Sequence, residues 1–221
     1  MTDADGPTTE GVEDEVLGRS DAVRAYFGDR YELVADFAQR LRDEGELRGL
    51  IGPREVARLW ERHILNSAAV TPYLEGARSV ADIGSGAGLP GVVMAIQRPD
   101  VEFFLVEPME RRTAWLQEIV DALALANVQV KRGRAEEYHD AFEVDVATSR
   151  AVAALSKLAR MSLPLVRRGG AMVVLKGRNV EREIEPARKV LRSFKTAEPE
   201  ILTGDTVAEV EATTILRIRR T

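Results

Sequence analysis

The chain has 221 residues, a formal net charge of −5 and no cysteine, and its length fits one large domain or a domain with an appended helical piece. The lack of cysteine excludes disulfides, thiolate metal sites and cysteine nucleophiles, and with His63 and His139 as the only histidines we expect no metal centre. No apolar run approaches the roughly 20 residues that span a bilayer, and the acidic N-terminus is not a signal peptide, so we expect a cytoplasmic protein.

The first predicted segment is an acidic tail. Residues 1–21 carry a net charge of −6, and residues 1–18 show no apolar periodicity. Such a composition predicts disorder. The C-terminal third differs, because the chain from Arg150 onward has a net charge of +7. That surplus is compatible with an anionic partner and is also common on ordinary solvated surfaces.

Residues 19–75 are predicted to form an N-terminal helical extension. Apolar residues recur there at helical spacing, namely at Val23, Phe27, Val34, Phe37 and Leu41. After a break at residues 45–52, Pro53 suits the first turn of another helix, which ends at Pro72.

The helix predicted from Pro53 has two different faces. One face would bury Val56, Leu59 and Trp60, together with His63, which follows Trp60 by three residues. Another face carries arginines at i, i+4 and i+8, which form a predicted basic ridge of Arg54, Arg58 and Arg62.

Residues 76–221 are predicted to form an α/β domain. Strand patterns cover residues 79–83, 101–106, 128–131, 143–148, 170–176, 197–203 and 211–219, and helix patterns cover 88–97, 109–126, 151–166 and 180–193. This alternation predicts a doubly wound, mostly parallel sheet of seven strands. Only a turn at residues 203–205 separates the last two strands, which predicts an antiparallel hairpin. The combination is typical of the Rossmann-like fold of class I methyltransferases and not of dehydrogenases.

Residues 80–91, Val-Ala-Asp-Ile-Gly-Ser-Gly-Ala-Gly-Leu-Pro-Gly, predict a ligand site. A buried strand ends there at Ile83, with Asp82 near its end, and glycines follow at alternate positions. Glycine permits positive φ and removes side chains from the loop surface. A flat ligand can therefore lie against the loop at the carboxyl edge of the sheet. The pattern predicts a nucleotide or nucleoside-cofactor site.

Two glycine patterns overlap in this loop. Asp82-x-Gly84-x-Gly86-x-Gly88 resembles the first motif of enzymes that use S-adenosylmethionine (SAM), whereas a G-x-G-x-x-G pattern beginning at Gly86 satisfies the dinucleotide fingerprint. The dinucleotide fingerprint should begin directly after the strand, which here means at Gly84. Counted from Gly84, the position of its third glycine is occupied by Leu89. Asp82 also suits a cofactor that carries an ammonium and a sulfonium group. The loop therefore favours SAM over a nicotinamide dinucleotide.

Two later segments fit the same cofactor. Glu107 ends the second strand, where an acid can accept hydrogen bonds from both ribose hydroxyls; the alternative is a surface glutamate before a turn at Pro108. Residues 133–137, Gly-Arg-Ala-Glu-Glu, follow the third strand. In this fold such a loop contacts the adenine edge, although taken alone it is an ordinary polar turn.

Several segments together resemble one family. They are Arg62-His63-Ile64-Leu65-Asn66-Ser67, the glycine loop, Arg134-Ala135-Glu136, Ser149-Arg150-Ala151 and Leu175-Lys176-Gly177. In this order they resemble the RsmG/GidB family of bacterial methyltransferases, which modify guanine N7 in the decoding-region loop of 16S ribosomal RNA. The resemblance covers roughly residues 53–177. Asn66 and Glu107 stand where many relatives carry aspartate, so the acid is kept at position 107 and lost at position 66.

The resemblance and the loop arguments together imply two sets of residues. The expected cofactor-binding residues are Asp82, Gly84, Gly86, Gly88, Leu89, Glu107, Ala135, Glu136 and Arg150. The expected contacts to substrate RNA are Arg54, Arg58, Arg62, His63, Asn66, Ser67, Lys176 and Arg178. Three members have alternatives: Arg150 could pair with Asp82 or Glu107, Lys176 could be solvated, and His63 could be packed in its helix.

The implied reaction transfers a methyl group from SAM to guanine N7. This atom carries a lone pair and no proton, so no general base is needed, and we assign no catalytic side chain beyond a positioning role for Arg150. Alignment of the reactants then supplies the rate. Residues 147–150, Ala-Thr-Ser-Arg, lack the Asn/Asp-Pro-Pro-Tyr segment of exocyclic-amine methyltransferases. The absence of cysteine excludes the covalent route to C5 of pyrimidines.

The expected partner is 16S rRNA, as naked RNA, in the small ribosomal subunit or in an assembly intermediate, bound by a monomer. Three alternatives stay open. They are a SAM-dependent small-molecule methyltransferase, a nicotinamide oxidoreductase and a non-catalytic SAM-binding module.

Overall fold

Five α-helices precede the sheet in the computed structural model, which describes residues 9–150 and 152–221. They are α1 (Thr9–Gly18), α2 (Asp21–Phe27), α3 (Tyr31–Glu44), α4 (Pro53–Val56) and α5 (Asn66–Ala68), and a π-helical segment, Leu59–Leu65, precedes α5 directly. Ser20 caps α2, since its Oγ accepts a hydrogen bond from the amide of Val23. The apolar positions predicted for this region are buried, except Val56, which is half-buried.

Helix α1 lies in the predicted disordered tail, so that prediction is wrong for residues 9–18, while residues 1–8 lie outside the described part of the chain. Asp14 is buried, and its carboxylate accepts hydrogen bonds of 2.9 Å from the backbone amides of Trp60 and Glu61. Amides at the start of a helical segment lack partners within it. Long-range polar contacts thus order α1, and composition does not reveal them.

The helix predicted from Pro53 is interrupted. Helix α4 ends at Val56, Arg58 has φ −128° and ψ 36°, and the π-helical segment then begins at Leu59. The three arginines of the predicted basic ridge therefore do not lie on one face of a regular helix.

Within the described residues, seven strands form one sheet and confirm the predicted class I methyltransferase fold. They are β1 (Ser79–Ile83), β2 (Glu102–Glu107), β3 (Val128–Arg132), β4 (Val144–Thr148), β5 (Val166–Leu175), β6 (Glu200–Gly204) and β7 (Thr213–Arg219). Their order is β3-β2-β1-β4-β5-β7-β6; β7 is antiparallel to both neighbours and the other pairs are parallel. The helices that alternate with the strands are α6 (Gly91–Gln97), α7 (Glu110–Ala122), α8 (Leu155–Ser162) and α9 (Glu181–Ser193).

The final hairpin has a longer connection than predicted. Strand β6 continues to Gly204, which pairs with Thr213 of β7, so residues 205–212 connect the two strands. Val207 in this connection is buried. A Cβ added at Gly204 would lie 2.9 Å from the Cβ of Ala69, so the hairpin lies directly against the N-terminal region.

The N-terminal helices and one face of the sheet share a hydrophobic core. Phe37 of α3 belongs to the same cluster of buried side chains as Val92 of α6 and Val173 of β5. The next residue of β5, Val174, belongs to a second cluster with α8 and α9, because successive strand residues point to opposite faces. The predicted boundary between residues 75 and 76 is therefore crossed by this core. Among the helices of residues 9–150 and 152–221, none is long and apolar enough to cross a membrane.

Candidate functional site

The glycine loop leaves β1 at Ile83 and is held by the neighbouring strand. The amides of Gly84 and Ser85 both donate to the carbonyl of Val106, at 2.8 and 3.2 Å. Gly84 has φ +72°, and a Cβ added there would lie 2.8 Å from Cγ2 of Val152. Both the backbone conformation and the space therefore require glycine at this position.

Glu107 fastens the middle of the loop from the end of β2. The residue is 2% exposed, so the alternative of a surface glutamate is wrong. Its Oε2 accepts a hydrogen bond from the amide of Gly86 at 3.0 Å, and its Oε1 accepts one from the amide of Met109 at 2.9 Å. Each carboxylate oxygen can accept a second hydrogen bond, so Glu107 can still bind ligand hydroxyls.

Asp82, expected to bind the cofactor, lies beneath the loop instead. The residue is fully buried, and its Oδ2 accepts a hydrogen bond of 3.0 Å from the amide of Gly91, where α6 begins. Burial raises the pKa of this carboxyl to about 7, although the bond from Gly91 opposes the shift. A Cβ at Gly91 would meet Oδ2 at 2.6 Å. Asp82 thus supports the start of α6 rather than facing a ligand.

A cavity of about 620 Å³ opens above the glycine loop, and we call it the loop cavity. Its walls bring together seven of the nine residues expected to bind the cofactor: Gly84, Gly86, Leu89, Glu107, Ala135, Glu136 and Arg150. The other two, Asp82 and Gly88, do not line it. Gly88 faces the protein interior, since a Cβ there would lie 2.7 Å from Val92 and 3.3 Å from Phe37.

The loop cavity also has walls that the sequence did not reveal. Leu50 and Ile51 reach it from the segment between α3 and α4, and Met109 and Arg112 from the start of α7. In the sequence, Met109 is marked only by its position two residues after Glu107, the acid at the end of β2. A cavity of this size, with mixed apolar and polar walls, suits a nucleoside-sized ligand.

His63 connects the N-terminal region to Arg150. The imidazole is 6% exposed; its Nε2 lies 2.8 Å from Oε2 of Glu55 and its Nδ1 lies 2.6 Å from Nη2 of Arg150. A guanidinium has no acceptor, so Nδ1 accepts from Arg150 and the Nε2–H group donates to Glu55. Burial, and then the charge of Arg150, lower the pKa of His63 to about 4. His63 is therefore a neutral link in a chain of three side chains.

This arrangement answers the alternatives for Arg150 and His63, and His63 is packed in the protein interior, as its alternative predicted. Arg150 pairs with His63 and not with Asp82 or Glu107. Burial lowers the pKa of the Arg150 guanidinium, which Glu55 partly offsets. The sequence did not single out Glu55, since it precedes His63 by eight residues across the helix break.

A second cavity of about 520 Å³ lies beyond the ends of β4 and β5, and we call it the strand-end cavity. Its walls include Ser149, Arg150, Val152 and Glu183, and of these Arg150 and Val152 also line the loop cavity. The Oγ of Ser149 and the Nη1 of Arg150 are buried and have no hydrogen-bond partner among the described residues. Buried donors without an acceptor destabilise a protein. A polar ligand at this boundary between the two cavities would supply the missing acceptors.

Lys176 is neither solvated nor free to bind phosphate in this conformation. Its side chain is 9% exposed, and its Nζ donates to the carbonyl of Ala153 at 2.9 Å and to Oε2 of Glu183 at 2.8 Å. The same oxygen of Glu183 accepts a hydrogen bond from the amide of Leu155 at 2.7 Å, at the start of α8. Lys176 thus shapes the wall of the strand-end cavity.

The remaining residues expected to contact RNA divide into three groups. A groove of about 320 Å³, the arginine groove, is lined by Arg58, Arg62, Asn66, Arg150, Lys176 and Arg178, together with Glu55, Glu61 and Glu211. Arg54 is exposed but lies outside the groove. Ser67, the middle residue of α5, is fully buried in the protein interior. Its predicted contact with RNA is therefore wrong.

Acidic neighbours engage part of the arginine groove. Arg58 pairs with Glu61 at 2.8 Å, and Arg178 pairs with Glu211 at 2.5 Å on the surface. Asn66 accepts a hydrogen bond of 2.7 Å from the hydroxyl of Thr213. Arg62 is exposed and makes no ion pair with residues of the described segments.

The comparisons with known proteins agree on one family. The model of the GidB family, rRNA small subunit methyltransferase G, matches residues 30–207. A protein of Clavibacter michiganensis subsp. michiganensis is 50% identical over 193 residues, which cover 87% of this chain and 91% of the relative. One of Thermobifida fusca is 47% identical over 199 residues, covering 90% of this chain and 84% of the relative. Both relatives are named ribosomal RNA small subunit methyltransferase G.

Solved structures support the fold. An O-methyltransferase family protein from Burkholderia thailandensis has a TM-score of 0.57 at 14% identity, covering 96% of this chain and 71% of that one. An O-methyltransferase from Bacillus cereus, solved in complex with SAH, has a TM-score of 0.56 at 12% identity, covering 85% of this chain and 90% of that one. At these identities the likeness concerns the fold alone.

Proposed function

The chain belongs to the GidB family of rRNA small subunit methyltransferases, and from this premise we propose that it transfers a methyl group from SAM to N7 of a guanine in the 16S rRNA of the small ribosomal subunit. Membership confirms the resemblance found in the sequence and supports an rRNA methyltransferase. The family name gives small-subunit rRNA as the substrate, and methylation at N7 of a guanine is what we propose in addition. We also propose that the enzyme acts as a monomer in the cytoplasm.

The loop cavity fits SAM. A Cβ added at Gly86 would have no neighbour closer than 3.7 Å, so the bare backbone leaves an open surface for a flat nucleoside. Glu107 lines the cavity with a carboxylate that can accept hydrogen bonds from ribose hydroxyls. Ala135 and Glu136 also line the cavity, and they would hold the adenine. When bound, SAM supplies an electrophilic methyl carbon on a sulfonium sulfur.

The single observation that carries the proposal is the boundary that the loop cavity shares with the strand-end cavity. Arg150 and Val152 line both, so a donor in one cavity and an acceptor in the other would meet beside these residues. Guanine N7 has no proton to lose, and the reaction then depends on alignment of N7 with the methyl carbon.

The polar groups at this boundary are consistent with a reaction that needs no general base. The lone pair on Nδ1 of His63 is occupied by Arg150, so this imidazole cannot remove a proton from the acceptor. Lys176 and Glu183 neutralise each other. Their roles in this proposal are to shape the site and to exclude water from it.

The RNA is expected to approach across the arginine groove. This groove shares Asn66, Arg150 and Lys176 with the strand-end cavity, so backbone phosphates held there would place a nearby nucleotide at the cavity entrance. The major-groove edge that carries N7 is hidden in an A-form duplex. The target base must therefore lie in a loop or be flipped out of its stack.

A methyl-transfer assay tests the proposal. The purified protein is incubated with labelled SAM and with small ribosomal subunits from cells that lack the gene, and the methylated nucleotide is mapped by cleavage at N7-methylguanine. We expect one guanine of 16S rRNA to be labelled, and subunits from wild-type cells to accept almost no label. Transfer to another atom of the base would contradict the N7 assignment. Transfer to small molecules but not to subunits would contradict the rRNA substrate.

A further inference from the structure

Arg150 is a half-buried cation whose two terminal nitrogens differ in their hydrogen bonding. Nη2 of Arg150 donates to His63 at 2.6 Å, while Nη1 is buried without a partner among residues 9–150 and 152–221. Arg150 lines both the loop cavity and the strand-end cavity. A buried charged donor without an acceptor is costly, so the free end marks the position of a ligand atom that accepts a hydrogen bond.

We propose that Glu55 and His63 are positioning residues that hold Arg150 so that its free Nη1 donates to the O6 carbonyl oxygen of the acceptor guanine in the strand-end cavity. This inference rests on the proposed function and deepens it. It assigns the feature of the base that is read and the side chains that read it.

The chain Glu55–His63–Arg150 fixes the orientation of the guanidinium. Glu55 accepts from the Nε2–H group of His63 at 2.8 Å, which leaves the lone pair of Nδ1 for Arg150. A carboxylate behind a histidine selects its tautomer in this way. Burial keeps the imidazole neutral, with a pKa of about 4, so the link persists at physiological pH.

The committed end of Arg150 has a chemical consequence for N7 methylation. Arginine commonly binds guanine through both O6 and N7 with its two-pronged fork. Such a contact would occupy the N7 lone pair that must attack the methyl carbon. Because His63 retains Nη2, Arg150 offers one prong to O6 and leaves the N7 lone pair available. The negative charge of Glu55 also compensates the cation beside a purine that becomes positively charged.

The same contact discriminates between purines. Guanine presents the O6 acceptor next to N7, whereas adenine presents an amino donor at that position. With adenine, the N6 amino group would face Nη1 of Arg150. Both groups are hydrogen-bond donors, so neither would have an acceptor, and binding would be unfavourable. Arg150 is therefore a specificity-determining residue for guanine.

The first experiment compares conservative and disruptive changes in the full chain. Glu55→Gln keeps an acceptor for Nε2–H and should methylate small subunits at nearly the wild-type rate. Glu55→Ala and His63→Ala should lower kcat/KM for the subunit roughly ten- to hundredfold, the cost of one hydrogen bond to a charged group. The Kd for SAM is the control for Glu55→Ala, because Glu55 does not line the loop cavity, and it should change less than about twofold in that variant. His63 lines the loop cavity, so His63→Ala is compared by kcat/KM for the subunit alone. Arg192→Ala, on the exposed side of α9, is the matched control.

The second experiment changes the base. Small subunits are reconstituted with 16S rRNA that carries 2-aminopurine, which keeps N7 and lacks O6, in place of the target guanine. We expect Arg150→Ala to lower the methylation rate on guanine and to have almost no further effect on 2-aminopurine, as in a double-mutant cycle. Equal losses on both bases would overturn the contact with O6.

A spectroscopic measurement separates this inference from the proposed function. The chain has two histidines, so the ¹⁵N signals of His63 are assigned by comparison with His63→Ala. We expect the neutral Nε2–H tautomer from pH 5 to pH 8, retained in Glu55→Gln and lost in Glu55→Ala. An Nδ1–H tautomer in the wild type would overturn the positioning chain even if subunits are methylated. Absence of methylation with the expected tautomer would instead reject the proposed function.

Discussion

Glu107 and Gly86 are joined by a hydrogen bond of 3.0 Å from the loop amide to the carboxylate. The end of one strand therefore holds the turn that follows its neighbour, β1. A second bond, from the amide of Met109, fixes the other carboxylate oxygen at 2.9 Å. The carboxylate that would bind the ribose is thus immobilised before any ligand arrives, which reduces the entropy lost on binding.

Replacing Glu107 should weaken SAM binding. Glu107→Gln removes the charge and replaces one acceptor oxygen by an amide NH2 group, which cannot accept a hydrogen bond from the backbone. We therefore expect the Kd for SAM to rise roughly ten- to hundredfold. Isothermal titration calorimetry of the pure protein measures this. Glu110→Gln, in an exposed residue paired with Arg132, is the control and should bind normally. An unchanged Kd in Glu107→Gln would show that the acid does not contact the ligand.

Asp82 should make stability depend on pH. Its pKa is about 7 in the folded protein against 3.8 as the reference value, so the folded state holds a proton that the unfolded state releases. Below about pH 4 both states are protonated and there is no penalty. As the pH rises from about 4 to about 7 the unfolded state ionises first, so the free energy of unfolding falls, and above about pH 7 it levels off.

Asp82→Asn removes this titration and keeps an oxygen for the amide of Gly91. The variant should therefore gain stability relative to the wild type between about pH 4 and pH 7. Urea unfolding at pH 5 and at pH 7.5 measures the difference between the two proteins. A difference that stays constant over this range would contradict a buried, protonated Asp82.

Alanine at three glycines separates backbone strain from steric clash. Gly84 has φ +72° and no room for a Cβ; Gly28 has φ +52° with open space; Gly52 has φ −79° with open space. Positive φ costs a non-glycine residue about 1–3 kcal/mol. We expect almost no loss of unfolding free energy in Gly52→Ala, about this loss in Gly28→Ala and a larger one in Gly84→Ala. The order is checked by urea unfolding, and only Gly84→Ala should also impair SAM binding.

Arg62 should contribute to the affinity for the ribosomal subunit without affecting SAM. It is exposed and lines the arginine groove. Arg62→Ala should weaken subunit binding and reduce the slope of log K against log salt concentration by about 1. Arg54→Ala, in an exposed arginine outside the groove, is the matched control. Equal effects of the two changes would mean that the groove does not define the path of the RNA.

The sequence predicted the fold well because the relevant signals are local. Alternating strands and helices, the glycines after β1 and the acid after β2 each follow from patterns of a few residues. The connection of the final hairpin was underestimated because Gly204, a residue typical of turns, belongs to a strand.

The candidate site was predicted less completely because it depends on side-chain direction. Asp82 stands at the right strand end, yet its carboxylate points to the amide of Gly91 rather than into the loop cavity. Glu55 and His63 meet only because the helix is interrupted between them. Asp14 reaches Trp60 across 46 positions of the chain. No local pattern reports such contacts.

The hydrophobic core that α3 shares with α6 makes the N-terminal helices and the α/β part of this chain inseparable. Phe37 lies against the turn that carries Gly88, and Ala69 lies against the final hairpin. A fragment starting near residue 76 would expose this apolar surface and lose the support under its glycine loop. The α/β part of the molecule is therefore not a module that could be moved to another protein without the helices that come before it.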